Sequence, residues 1–161
     1  MQSVLWAGIA LILGLVVVIV EGLLGLHEQR VSHANVVLWL LITPVVAVGS
    51  MVHARKTVVG TYTYVAAMLR GLLSSALATA ALLLVWLFFV GVLVPDYFQL
   101  MHEFAGAEAR AQGHSDARIA QEIHVSMLIF ASPSFYIVSA IVPLLAGTIA
   151  SLIGATGLRK S

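Results

Sequence analysis

One uninterrupted apolar stretch, residues 72–94, limits what this chain can fold into more than any other feature. It contains no charged residue and no proline, and the polar-aromatic sequence Pro95-Asp96-Tyr97-Phe98 follows it directly. A helix needs ~20 such residues to cross a bilayer, where its own backbone hydrogen bonds are the only ones available. The stretch therefore predicts a transmembrane helix that ends in an extramembrane segment.

The composition supports a membrane protein. Hydrophobic residues make up 61% of the chain and charged residues 9%, whereas soluble domains have roughly 45–50% and about 25%. The apolar runs are continuous and do not alternate with polar residues, which favours helices over a transmembrane β-barrel. Because there is no cysteine, disulfides, a thiol nucleophile and a thiolate metal site are excluded.

Similar runs predict three more spans, at about residues 4–26, 36–52 and 133–158. We therefore expect an all-α fold: a single domain over residues 1–161 that forms a four-transmembrane-helix bundle. Pro44 and Pro143 lie inside spans and predict kinks, because proline lacks the N–H that a helix uses. Residues 57–69 are too polar to cross and fit either an interfacial helix or the first turns of the third span.

Residues 95–131, between spans three and four, predict an extramembrane amphipathic helical hairpin. Apolar residues recur at helical spacing on both sides of Gly113: Phe98, Met101 and Phe104 before it, then Ile119, Ile123 and Met127. Ser115 is a suitable cap for the second helix, with the acidic Asp116 at its positive end. Such a hairpin is expected to rest on the membrane surface or on itself.

The distribution of charge predicts the orientation. Four spans place Arg55, Lys56, Arg70, Arg159 and Lys160 on one side, which then holds no acid. The positive-inside rule assigns this side to the cytoplasm, with both termini, and puts the hairpin outside. Arg55, Lys56 and Arg70 could also bind anionic lipid headgroups, although such charges commonly only set topology.

Several short motifs resemble a known family. They are Gly60-Thr61-Tyr62 through Arg70-Gly71, then Pro95-Asp96-Tyr97-Phe98, the polar hairpin, and the last span from Pro143 to the basic Lys160 end. Together they resemble DUF4199, a domain of unknown function of small bacterial inner-membrane proteins. The resemblance implies four helices, covers most of the chain, and carries no known activity or catalytic residues.

Few residues are candidates for chemistry. Glu21 is the one acid inside an apolar run, so it either marks an ion or proton path or sits at the outer interface. The hairpin offers Asp96, His102, Glu103, His114 and Asp116. Histidines beside carboxylates can bind zinc, but no pair has the helical ligand spacing. We predict no metal or other cofactor, and protonation of the histidines as an acidity sensor is a minor alternative.

Small residues recur every fourth position in two spans: Gly71, Ser75 and Thr79 in the third, and Gly147, Ser151 and Ala155 in the fourth. Such faces let helices approach closely. We expect them to pack within the bundle rather than to form a dimer seam.

Because the spans contain few polar groups, we expect a non-enzymatic accessory or interaction subunit that presents its acidic outer hairpin. Its partners would be the bilayer and other membrane subunits, or further copies of itself. No phosphate-binding glycine loop or nucleophile elbow is present, and nothing indicates nucleic-acid binding. The alternatives are a small oligomeric channel or transporter that uses Glu21, and a membrane-surface enzyme that uses Asp96, His102 or Glu103.

Overall fold

The computed structural model describes residues 2–24 and 37–158. This part of the chain contains six α-helices: α1 (Gln2–Leu24), α2 (Thr43–Thr57), α3 (Tyr64–Phe88), α4 (Tyr97–Ala111), α5 (Asp116–Ile129) and α6 (Ser134–Leu158). A π-helical segment, Val37–Ile42, leads into α2, and another, Phe89–Leu93, extends α3. The prediction of an all-α fold is confirmed.

Among the described residues, three helices are long and apolar enough to cross a membrane: Gln2–Leu24, Tyr64–Leu93 and Ser134–Leu158. Their outward faces carry large apolar side chains, for example Leu23, which is 81% exposed, and Ile153, which is 68% exposed. In water such surfaces would be a liability, whereas lipid tails cover them without cost. The helix bounds agree with the predicted first, third and fourth spans, apart from the start of α3.

The third helix begins at Tyr64, and residues 64–71, predicted to lie before the span, form its first turns. Thr63 caps this end: its hydroxyl accepts a hydrogen bond of 3.2 Å from the backbone N–H of Ala66. The cap satisfies a helix-terminal N–H that has no partner inside the helix. Of the polar stretch 57–69, residues 64–69 thus form the start of the helix, whereas residues 58–63 connect α2 to α3.

The second predicted span is helical throughout residues 37–57. Pro44 is the second residue of α2, directly after the π-helical segment. Proline has no N–H to donate to the preceding turn, and both prolines and π-helical segments are common sites of irregularity within a helix. At Pro44, where a kink is predicted, the backbone changes from a π-helical to an α-helical segment.

The long helices lie side by side, with α3 in contact with α1, α2 and α6. At one end, the Gln2 side-chain amide donates a 3.1 Å hydrogen bond to the Thr57 hydroxyl, so α1 begins where α2 finishes. At the other end, Trp86 near the finish of α3 packs on Phe135 near the start of α6, with ring centroids 5.0 Å apart. We call the end at Gln2 and Thr57 the basic end, and the end at Trp86 and Phe135 the hairpin end.

An aromatic cluster fixes the hairpin to the bundle. Trp86, Phe89, Tyr97 and Phe135 are fully buried, and their rings meet mainly edge to face at centroid distances of 5.0–6.1 Å. Such geometry adds about 0.5–1.5 kcal/mol per pair to the burial of area. Because Tyr97 is the first residue of α4, this cluster sets where the hairpin stands.

Candidate functional site

The turn between α4 and α5 has a well-defined helix-terminating structure. The N–H of His114 donates to the Ala109 carbonyl at 3.1 Å, and the N–H of Gly113 donates to the Arg110 carbonyl at 3.0 Å. This is the Schellman pattern, which needs a residue with positive φ. Gly113 supplies it, with φ of 72°. The turn reverses the chain so that α5 lies against α4.

Ser126 joins the two helices of the hairpin near its base. Its side chain is buried, its hydroxyl donates to the Met101 carbonyl at 3.2 Å, and its Oγ lies 3.1 Å from Nδ1 of His102. Ser126 therefore links α4 to α5 near the hairpin base.

A groove of about 430 Å³ runs between α4 and α5. Apolar side chains form its floor, among them Met101, Phe104, Val125, Ile129 and Phe130. Its far rim, toward Gly113, is charged and includes Glu108, Arg118 and Glu122. The groove thus changes from apolar near the bundle to polar near the hairpin tip.

Glu122 organises the charges on that rim. Its Oε1 accepts a 3.0 Å hydrogen bond from Nε of Arg118, one helical turn earlier, and lies 3.2 Å from Nδ1 of His114. Side-chain exposures of 31–58% mean that water screens these pairs, so each contributes little to stability. Their effect is to hold Arg118 and Glu122 in place at the rim of the groove, with His114 beside Glu122.

The predicted hairpin candidates are not gathered in one cluster. Asp96 and Asp116 are exposed at the starts of their helices, and Glu103 accepts a 2.8 Å hydrogen bond from Gln99. His102 and Glu103 share a hollow of about 250 Å³. Within residues 2–24 and 37–158, no three histidine or acidic side chains lie close enough to hold a metal ion.

Glu21 lies on the packed face of α1 and is only 3% exposed. Ala10, Gly14 and Val18 belong to the same buried face. The next residue, Gly22, faces Leu93 near the finish of the third helix. Glu21 is therefore buried among helices at the hairpin end of the bundle. The sequence alone did not decide whether this residue lies inside the bundle or at the outer interface.

The small residues lie between α3 and α6. A Cβ added at Gly71 would lie 2.8 Å from Cβ of Ser151, and one added at Gly147 would lie 2.7 Å from Cβ of Ser75. Both serine hydroxyls bond back to their own helix: Ser75 to the Gly71 carbonyl at 2.8 Å and Ser151 to the Gly147 carbonyl at 2.6 Å. Thr79 follows on the same buried face of α3.

The basic end carries Arg55, Lys56 and Arg70, while Arg159 and Lys160 lie outside the described residues. Burial raises the pKa of the Tyr62 phenol here, and the nearby Arg70 guanidinium lowers it in part. A groove of about 420 Å³ between α1 and α3 includes Arg70. Within the described residues, Arg70 forms no ion pair.

The sequence alone does not predict the groove or the bridging role of Ser126. The local spacing of Arg118 and Glu122, one helical turn apart, was a readable sign of a surface pair. The contact of Ser126 with Met101 spans 25 positions and leaves no local pattern, so it required the fold.

Apolar helices packed side by side, three of which in the described part of the chain are long and apolar enough to cross a membrane, are typical of an integral membrane protein. The family described as Protein of unknown function (DUF4199) matches residues 5–160, so the chain belongs to this family and the resemblance seen in its sequence is confirmed. Comparison with curated proteins and with solved structures gives no match.

Proposed function

We propose that the protein crosses a bacterial inner membrane four times, with residues 37–57 as the second crossing. At ~1.5 Å per residue, a helix of that length spans about 30 Å, the thickness of the hydrocarbon core. The contact of Gln2 with Thr57 supports the arrangement, because it requires α1 and α2 to run in opposite directions. Val52 and Leu158 line a common hollow, so α6 also finishes at the basic end.

The charges support cytoplasmic placement of the basic end. Arg55, Lys56 and Arg70 lie there, and the acids Asp96, Glu103, Glu108, Asp116 and Glu122 lie on or beside the hairpin. Cations near span ends are retained on the cytoplasmic side during insertion. Both termini would then be cytoplasmic and the hairpin would face the outside.

The function that the geometry supports best is that of a non-enzymatic binding subunit, and the α4–α5 groove carries this proposal. Its apolar floor can accept the apolar face of a partner helix, as in other helix-in-groove complexes. The rim carries two acids, Glu108 and Glu122, and one base, Arg118, which favours a partner with basic residues. The nearby His102 and Glu103 side chains are engaged by Ser126 and Gln99, which favours a structural role over catalysis.

The base of the hairpin limits where that partner can be. Val125, Met127, Leu128 and Ile129 are 41–59% exposed and point in several directions around the last turns of α5. A helix that is apolar on all sides belongs in lipid or in a protein core, and α6 enters the membrane a few residues later. The groove therefore opens at the outer membrane surface, and its partner would be the juxtamembrane helix of another membrane protein.

Paired variants test the groove directly. Val125→Glu places a charge on the groove floor, whereas Met127→Glu alters an equally exposed apolar residue of α5 that does not line the groove. Proteins that co-purify from native membranes in mild detergent would be identified and quantified by mass spectrometry. We expect a membrane protein with a basic juxtamembrane helix to be lost with Val125→Glu and kept with Met127→Glu. Equal loss, or equal retention, would refute groove binding.

A second function, transport of protons or ions, is favoured by one observation: the burial of Glu21 among the spans. The α3–α6 contact argues against a water-filled path along that interface, since not even one methyl group fits there. Glu21→Gln separates the two functions. If the protein is a binding subunit, the Glu21→Gln variant still co-purifies with the partner. If it is a transporter, the variant abolishes proton or ion flux in proteoliposomes, whether or not a partner co-purifies.

A further inference from the structure

We propose that the groove between α1 and α3 at the basic end is a binding site for one anionic phospholipid. Ser3 and Val4 form one wall, and Ala66, Leu69, Arg70, Leu73 and Leu77 form the other. The site rests on the membrane placement proposed above and is independent of the α4–α5 groove, which lies at the opposite end.

The groove is charged at the level of the headgroups and apolar deeper in the membrane, as a phospholipid in the bilayer is. Arg70 lies near the level where the uncharged part of the third helix begins, and Leu73 and Leu77 follow it on the same wall. From Arg70 to Leu77 the helix advances about 10 Å into the hydrocarbon region. Leu69 and Leu73 are 57% and 54% exposed, so this wall is open to an acyl chain while the arginine meets the headgroup.

The charge of the groove fits a phosphate. Within the described residues no carboxylate lies within ion-pair distance of Arg70, and the described acids lie at the hairpin end. A guanidinium offers a planar fork of donors that matches phosphate oxygens, and it binds them more specifically than an ammonium group does. Basic pockets between helices on the cytoplasmic side are a common form of site for acidic headgroups.

Tyr62 lies close to Arg70 but outside the groove, because its buried side chain packs with Met51, Ala54, Ala67 and Ala155. Arg70 is therefore the charged group that the groove itself offers to a headgroup. A positive charge that only sets topology needs no apolar wall below it.

The test uses two pairs of variants of the full chain in mild detergent. Arg70→Gln removes the headgroup contact, and its control, Arg110→Gln, removes an equal charge from the exposed hairpin. Leu73→Trp fills the apolar wall, and its control, Leu84→Trp, alters a 60% exposed residue of α3 outside the groove. Binding of phosphatidylglycerol and of phosphatidylcholine would be measured by native mass spectrometry.

We expect Arg70→Gln and Leu73→Trp each to weaken phosphatidylglycerol binding at least about tenfold, the value of one charged hydrogen bond or of a blocked chain site. Arg110→Gln, Leu84→Trp and the hairpin variant Val125→Glu should bind as the parent does, and phosphatidylcholine should bind weakly throughout. If Arg70→Gln behaves like Arg110→Gln, or Leu73→Trp like Leu84→Trp, the site is refuted. If millimolar inorganic phosphate displaces the lipid from the parent, the groove binds free phosphate and the lipid assignment is wrong.

Discussion

Close contact between α3 and α6 makes Gly147→Ala an informative single substitution. A Cβ at residue 147 would lie 2.6 Å from Cγ2 of Thr43 and 2.7 Å from Cβ of Ser75. These atoms belong to two different helices, α2 and α3, so neither can be avoided by rotating one flexible side chain. To reach ordinary contact, at roughly 3.4–4 Å, α6 must move away from both neighbours by about 1 Å.

The expected change in the free energy of unfolding follows from two opposing effects. Overpacking of a close contact typically costs about 1–3 kcal/mol, whereas replacing glycine by alanine inside a helix gains about 1 kcal/mol from the lower flexibility of the chain. Gly8→Ala isolates the gain, because a Cβ at residue 8 meets no atom within 4 Å. The two variants should therefore differ in free energy of unfolding by about 1–3 kcal/mol, with Gly147→Ala the less stable.

Unfolding would be followed by tryptophan fluorescence while mild detergent micelles are titrated with SDS. Trp86 reports on the bundle because it is fully buried beside Phe135. A midpoint for Gly147→Ala equal to or above that of Gly8→Ala would show that the helices are not in close contact at this level. The packing argument for the α3–α6 interface would then be wrong.

Three further predictions concern the two ends of the bundle. The native chain has no cysteine, so an impermeant maleimide applied to intact cells should label Ser115→Cys and spare Ser161→Cys; the reverse pattern would overturn the orientation. Ser126→Val removes both hydrogen bonds at the hairpin base and should lower hairpin stability by about 1–3 kcal/mol. Amide hydrogen exchange should then become faster in α5 than in α3. Unchanged exchange would show that the bridge to His102 is unimportant. The folded pKa of Tyr62 is raised above its ordinary 10.0, so its stabilising effect is present below pH 10 and is lost as the pH rises through the folded value. Tyr62→Phe should therefore unfold less readily than the parent on alkaline titration, and identical profiles would contradict this.

Helix packing was the part of the structure most accessible from sequence. The buried residues of α6 recur at every fourth position: Phe135, Ser139, Pro143, Gly147, Ser151 and Ala155. Four residues make little more than one helical turn, so such a stripe forms a single face. A stripe that includes two serines and a glycine in an apolar helix indicates a face for another helix, because lipid imposes no need for small residues.

The start of α3 was harder to place, because hydropathy and helix formation are different properties. Polar residues such as Tyr64 and Arg70 lower the apolar character of a segment, yet neither opposes helical backbone geometry. Hydropathy therefore marks where the uncharged part begins, at residue 72, while the Thr63 cap marks where the helix begins.

The groove could not have been predicted, because its shape depends on how α4 and α5 meet. Periodicity indicates that each helix has an apolar face, but it does not give the rotation of one face relative to the other. Here the bridge from Ser126 to Met101 fixes that rotation near the base and leaves Val125 on the open side. The burial of Glu21 has the same origin, since a position one turn from the finish of a span is buried or exposed according to its neighbours.

The two proposed sites are joined by one helix, which has a consequence for how the hairpin binds. Arg70 lies near the start of α3, and Trp86 near its finish packs against Tyr97, the first residue of the hairpin. Between them, α3 packs closely on α6, since a Cβ added at Gly147 would lie 2.7 Å from Cβ of Ser75. Close-packed interfaces of this kind move between discrete arrangements or not at all. The hairpin thus stands on a closely packed support, so a partner of the proposed groove would not first have to order the helices beneath it, which would lower the entropic cost of binding.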